Sequence, residues 1–164
     1  MLSWTVSKAG GPKRAYHAAV AVRNQLYSFG GWDGGTSNTM DQMDVHVFNT
    51  VSLCWRKLPP VTPGRGARRH PDVPSNRHGH TAVLIEDTIY IWGGEHPYCN
   101  VLYGFDVDAH RWFKPRVSGT VPEGRFLHSA CVLGKVVFIY GGYTQHRRFT
   151  NYIYNLDTRT MVWS

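Results

Sequence analysis

At 164 residues the chain has the length of one domain or part of one. Aromatic residues make up 13% and glycine numbers 17. That mixture suits strands and tight turns better than helices. A formal charge of +7 with a pI near 9.5 favours acidic partners, whether nucleic acid, acidic protein surfaces or free carboxylates, without choosing among them. Cys54, Cys99 and Cys131 are odd in number and widely spaced, which argues against a disulfide framework or a paired-cysteine metal site. Cys131 falls inside an apolar strand pattern and is expected in the core. Met1 to Arg14 holds no apolar stretch of signal-peptide length, and no run approaches membrane-spanning length. A reducing compartment, cytoplasm or nucleus, is the expected location, with no membrane partner.

In chain order, Met1-Leu2-Ser3-Trp4 reads as an outer strand separated from the inner strands it should join. Residues 14–55 then form a first unit. Arg14, His17 and Ala19 open it, a strand runs over Ala18 to Val22, and Arg23-Asn24 make a turn. A second strand carries Tyr27 and Phe29 and ends at Gly30-Gly31. A third runs from Val45 to Phe48, and Asn49 stands six residues before Trp55 on a fourth. Residues 77–112 repeat the order: Arg77, His80, Ala82, Tyr90, Trp92, Gly93-Gly94, a strand over Leu102 to Phe105, Asp106 and Trp112. Residues 125–163 repeat it again: Arg125, His128, Ala130, Phe138, Tyr140, Gly141-Gly142, a strand over Ile153 to Leu156, Asp157 and Trp163. So many positions agreeing in three copies define an internal repeat.

Four short strands per roughly 50 residues predict an all-β chain of repeated four-stranded sheets, the blades of a β-propeller. Small alanine suits the crowded inner strand, Gly-Gly a close backbone approach, and the aromatic and Trp positions the wedge between neighbouring sheets. Trp55, Trp112 and Trp163 are expected between blades, and Trp32 in an exposed loop. A ring normally needs about four to eight blades. Three blades plus an orphan N-terminal outer strand are therefore expected to be a fragment, a short isoform or a degenerate product of a longer protein, with apolar faces open at both ends.

This pattern resembles the kelch repeat over essentially the whole chain. Asn100 to Val107, Pro115 to Pro122 and His128 to Lys135 carry a closer likeness to one branch of that family. The resemblance implies a non-enzymatic substrate-recognition subunit of a cullin-2 RING ubiquitin ligase, reading peptide C-termini that act as degrons. It also implies elongin B/C and cullin-2 as partners, reached through a segment this chain lacks. Chromatin or nucleic acid is the alternative partner class.

Read from the residues themselves, His78 and His80 form an H-x-H pair, but His80 belongs to the repeat and no third metal ligand is recognisable, so neither metal nor cofactor is expected. No nucleophile elbow, phosphate loop or paired-carboxylate motif is present, and no enzymatic activity is expected. Leu127 and Cys131 have the spacing of an elongin-recruiting box, but they sit on an inner strand whereas that box is helical. The motif arginines Arg14, Arg77 and Arg125 read as structural ties.

Function is expected in the non-repeating loops. Residues 56–76 form a Pro/Gly-rich connection, and from Arg56 to Arg77 six cations, among them Arg65, Arg68 and Arg69, face one acid, Asp72. It reads as an extended, mobile loop. The loops after Gly-Gly present Trp32 in the first unit and Tyr143, Arg147 and Arg148 in the third. An aromatic beside two guanidinium groups suits a carboxylate ligand.

Overall fold

The computed structural model describes residues 10–35, 41–67, 70–95, 98–146 and 148–164. The described residues contain strands and turns and no helix. The first sheet is an antiparallel meander of β1 (Ala18–Val22), β2 (Gln25–Phe29), β3 (Val45–Asn49) and β4 (Cys54–Lys57). The second repeats it with β5 (His78–Ile85), β6 (Thr88–Glu95), β7 (Tyr103–Asp106) and β8 (Arg111–Phe113). These all-β units are consistent with a β-propeller.

The third sheet departs from four strands. β11 (Ser129–Leu133), β12 (Val136–Tyr140), β14 (Ile153–Asp157) and β15 (Val162–Trp163) form the meander, and β9 (Ser118–Gly119) adds to β15 in parallel. Gly119 permits this: at φ +80° its missing Cβ would stand 2.2 Å from the Trp163 carbonyl oxygen. A separate ladder pairs β10 (Arg125–Phe126) with β13 (Tyr143–Thr144). The Met1–Trp4 strand lies outside the described residues.

Alternating side chains on each strand face opposite neighbours, so each sheet has a forward face and a rear face. Phe29, Val45 and Val47 from the first sheet join Ile89, Ile91, Phe105 and Trp112 from the second in one buried cluster. Ile85, Tyr90 and Trp92 from the second join Val137, Ile139, Leu156 and Trp163 from the third in another. Trp112 meets Phe29 edge-on at 5.8 Å, and Trp163 meets Trp92 at 5.8 Å. Trp112 and Trp163 therefore each pack on the unit before their own. Trp55 has no preceding described sheet and is only half-buried, against Phe48 at 5.1 Å.

Two sequence expectations need correction. Cys131 is exposed, because it lies on the forward face of the third sheet, at the position where Val20 and Val83 pack into the two clusters. The 56–76 connection is also not wholly a solvated loop. Leu58, Val73 and Ser75 are buried, and Met43 donates to the Pro74 carbonyl at 2.8 Å. Its ends complete the first inter-sheet core.

The Gly-Gly pairs explain the histidines. A Cβ on Gly93 would stand 2.4 Å from His128 Cε1 and 2.8 Å from the Arg125 carbonyl oxygen, and one on Gly30 would stand 2.6 Å from the Arg77 carbonyl oxygen. The first glycine thus seats the following unit. Gly141, with only the Thr150 carbonyl oxygen at 3.4 Å, has no such neighbour. Both Gly93 and Gly141 have positive φ, +78° and +69°, so alanine is conformationally strained at either by a comparable amount. Gly93→Ala is expected to destabilise more than Gly141→Ala by at least about 2 kcal/mol, as overpacking does, read as the difference in urea midpoints. Equal losses would show that the glycine is needed for φ alone.

Candidate functional site

One rim of the sheets is built from the residue that follows each Gly-Gly and the one that follows each motif arginine. Trp32 bridges Ala15 through two backbone hydrogen bonds of 2.8 Å, Glu95 opposes His78, and Tyr143 opposes Phe126. These three pairs occupy the same place in successive units. The arginines hold that geometry from beneath. Arg14, Arg77 and Arg125 each donate to the carbonyl of the first glycine, at 3.2, 3.3 and 3.2 Å. Arg77 and Arg125 also lie over Tyr103 and Tyr154, at 5.4 and 5.1 Å from the ring centroids. With Arg77 and Arg125 buried and bonded, their charge supports the rim and is not offered to solvent.

In the third unit the rim is aromatic. Tyr98, Phe126, Tyr143 and Phe149 form a chain of edge-to-face contacts at 5.6, 5.6 and 5.1 Å. Offset edge-to-face packing is the favoured arrangement for such rings. The 143–150 hairpin is closed by Thr144 donating to Arg148 and Thr150 to Gly142. On its return arm, opposite Tyr143, Phe149 is 87% exposed. Arg148 beside it is exposed, and its guanidinium has no ion pair among the described residues. His146 Nε2 lies 3.5 Å from Glu123. An apolar ring held out to solvent, followed back along the chain by an exposed arginine without an ion pair among the described residues, suits a ligand that has both apolar and anionic parts.

In the first unit Trp32 is 50% exposed and Tyr16 57% exposed, with Tyr16 at 6.1 Å from the His78 ring. Of the four rim residues expected from sequence, Tyr143 and Arg148 share one hairpin, whereas Trp32 sits at the equivalent place on the first sheet. Arg147 lies outside the described residues, as do Arg68 and Arg69. Arg65 is exposed in the inter-sheet connection. Sequence reasoning missed Tyr98, Phe126, Phe149 and Tyr16. Phe126 and Tyr16 lie between the arginine and the histidine of Arg-x-x-His, a place the pattern marks; Tyr98 and Phe149 reach the rim only through folding.

A cleft at the outer side of the first joint is lined by Met43, Leu58, Pro60, Phe105, His110 and Trp112. It lies away from the rim residues and holds no exposed cation.

Repeated four-stranded sheets with an exposed aromatic rim define a protein-interaction module. The family model described as the KLHDC2/KLHL20/DRC7 Kelch-repeats domain matches residues 16–164. The chain belongs to the kelch-repeat family. It is 56% identical over 170 residues to Kelch domain-containing protein 3 of Rattus norvegicus and of Homo sapiens, covering 100% of this chain and 44% of theirs. It is also 32% identical over 92 residues to Host cell factor 2 of Homo sapiens, covering 56% of this chain and 12% of that protein. The chain thus spans less than half the length of these relatives.

Proposed function

We propose that the rim of the third unit, with Arg148 and Arg147, binds the free C-terminal carboxylate of a peptide, and that the chain is a three-blade part of a propeller serving a cullin-2 RING ubiquitin ligase as substrate receptor in the cytoplasm or nucleus. The observation that carries this reading is the exposed Phe149 adjacent in the chain to the exposed Arg148, whose guanidinium has no ion pair among the described residues. A peptide terminus offers a side chain for the ring and a planar anion for the guanidinium fork. Binding, without catalysis, is the role this surface supports. Within that reading, the residues contacting elongin and cullin-2 belong to other parts of a longer protein.

The test is fluorescence polarisation with peptides carrying a free or an amidated C-terminus, at two salt concentrations. Amidation is expected to weaken binding at least about tenfold, and Arg148→Gln and Phe149→Ala each to remove most of the preference. Equal affinity for the two peptides would sink the carboxylate reading. A chromatin or nucleic-acid module would instead show a steep salt slope and lose affinity on neutralising Arg65, Arg68 and Arg69.

A further inference from the structure

The molecule makes the same joint twice, the forward face of one sheet receiving the rear face of the next. The two joints differ at one place. On the first sheet the ladders align Tyr27 with Val47, and Val47 with Arg56. On the second sheet the matching row is Tyr90, Gly104 and Phe113. The turn before the last strand of the following sheet meets each row. It brings His110 to the first joint and Met161 to the second, both at positive φ, 49° and 57°. The second joint is filled there. Phe113 lies over Gly104, whose missing Cβ would stand 2.3 Å from the ring, and Met161 packs against the core cluster that holds Tyr90. At the same two positions the first joint has an arginine and a histidine, which the packing of the repeat does not require.

These polar residues border a cavity of about 190 Å³, lined by Arg23, Gln25, Tyr27 and Arg56 from the first sheet and by Asp108 and His110 from the second. It lies where β2 begins, away from the Gly-Gly rim where β2 ends. Its walls all come from a joint that is already made.

Burial raises the pKa of the Tyr27 hydroxyl, so the group stays protonated and donates to Gln25 Oε1 at 3.0 Å. That bond leaves the Gln25 amide N–H groups without a partner among the described residues. His110 Nε2 stands 3.5 Å from the Tyr27 hydroxyl. Arg23 bridges Asp87 and Asp108 across the joint at 3.0 and 2.9 Å, so its charge is already answered. Arg56 differs. It is exposed, and its guanidinium has no ion pair among the described residues, which include every Asp and Glu of the chain.

We propose that this cavity binds a singly charged carboxylate, held by the guanidinium fork of Arg56 with a Gln25 N–H donating to the same group. A planar guanidinium matches a carboxylate through two parallel N–H···O bonds. Charge decides between anions. Asp87 and Asp108 already outnumber Arg23, so one negative charge is what Arg56 can compensate. A doubly charged phosphate would bring its second charge against Asp108, and like charges at such range repel. An Asp or Glu side chain of a partner protein and a small free acid present the same group.

The experiment is a titration of the nitrogen-15-labelled chain of residues 1–164, followed by NMR at the Arg56 Nε–H and Gln25 side-chain amide signals. The probes are acetate, inorganic phosphate at about pH 8, and a blocked tripeptide with a central glutamate and no free terminus. Acetate and the tripeptide are expected to move both signals to saturation, and phosphate to bind at least about tenfold more weakly. A tighter tripeptide would assign the group to a partner's side chain, and a tighter acetate to a free acid. Arg56→Gln, at an exposed position, is expected to keep the thermal midpoint and abolish the Gln25 response. His110→Met, which installs the residue of the second joint, is expected to weaken it. Arg148→Gln should leave it unchanged, which separates this cavity from the rim of the third unit whether or not the rim binds a carboxylate. Signals that stay still with both carboxylates, a Gln25 response that survives Arg56→Gln, or phosphate binding as tightly as acetate would each overturn the proposal.

Discussion

Trp112→Ala is expected to destabilise the chain by about 3–5 kcal/mol, the cost typical of truncating a large buried aromatic. Trp112 is 6% exposed and meets Phe29 at 5.8 Å and Phe105 at 5.0 Å, both edge-on. Its removal leaves a void between two sheets that meet through this cluster, and the rigid backbone of neighbouring ladders limits collapse into it. Trp55 holds the same place in its repeat but is only half-buried. Trp55→Ala should therefore cost well under half as much. Urea denaturation of both variants at neutral pH measures the contrast. Losses of similar size would mean that the tryptophans act within their own sheets and not across the joints.

The contrast shows where the sequence was legible. Strand order, the turns at Arg23, Glu86 and Gly134, and the burial of Trp112 and Trp163 were readable because each position recurs with a fixed spacing. The spacing also carries a shared local job: Asn49 and Asp106 each accept two backbone N–H groups of the turn that follows, at 2.8–3.1 Å, and Asp157 accepts from Arg159. What the repeat could not reveal is which neighbour a face meets. Cys131 carries the same strand pattern as Val20 and Val83, yet burial depends on a following sheet and not on the strand. Trp55 differs from Trp112 for the same reason, in the opposite direction. The parallel β9 strand was hidden because it belongs to a connection, where only Gly119 marks the close approach. At the candidate site, Tyr143 and Arg148 were visible as loop residues. The run through Tyr98 and Phe149 was not, because it joins residues about fifty positions apart that share no motif.

Acid is expected to loosen both joints before it affects the rest of the chain. His80 and His128 are 5% and 6% exposed, each inserted against the first glycine of the preceding unit. Burial, reinforced by the charge of Arg77, holds the His80 imidazole down to about 3. Burial, with the charge of Arg125, does the same for His128, also to about 3. Both rings are neutral in the folded chain at pH 6, whereas the unfolded chain takes up protons below about 6.5. The unfolded state then binds more protons, so stability falls as pH falls. The contribution is fully present above about pH 6.5 and is lost progressively down to the folded value near 3. Within that window each histidine removes roughly 1.4 kcal/mol per pH unit, so the pair costs about 4 kcal/mol by pH 5 relative to neutral conditions. Asp44, held below the ordinary carboxylate range by hydrogen bonds from Lys57 and Arg14 that outweigh its burial, loses its contribution only at lower pH, as it falls through the carboxylate range. Urea midpoints measured from pH 8 to pH 5 read this slope, and His128→Gln should roughly halve it. A midpoint that stays level to pH 5 would mean that the histidines are protonated in place, and that the joints hold water or an acceptor able to stabilise the charge.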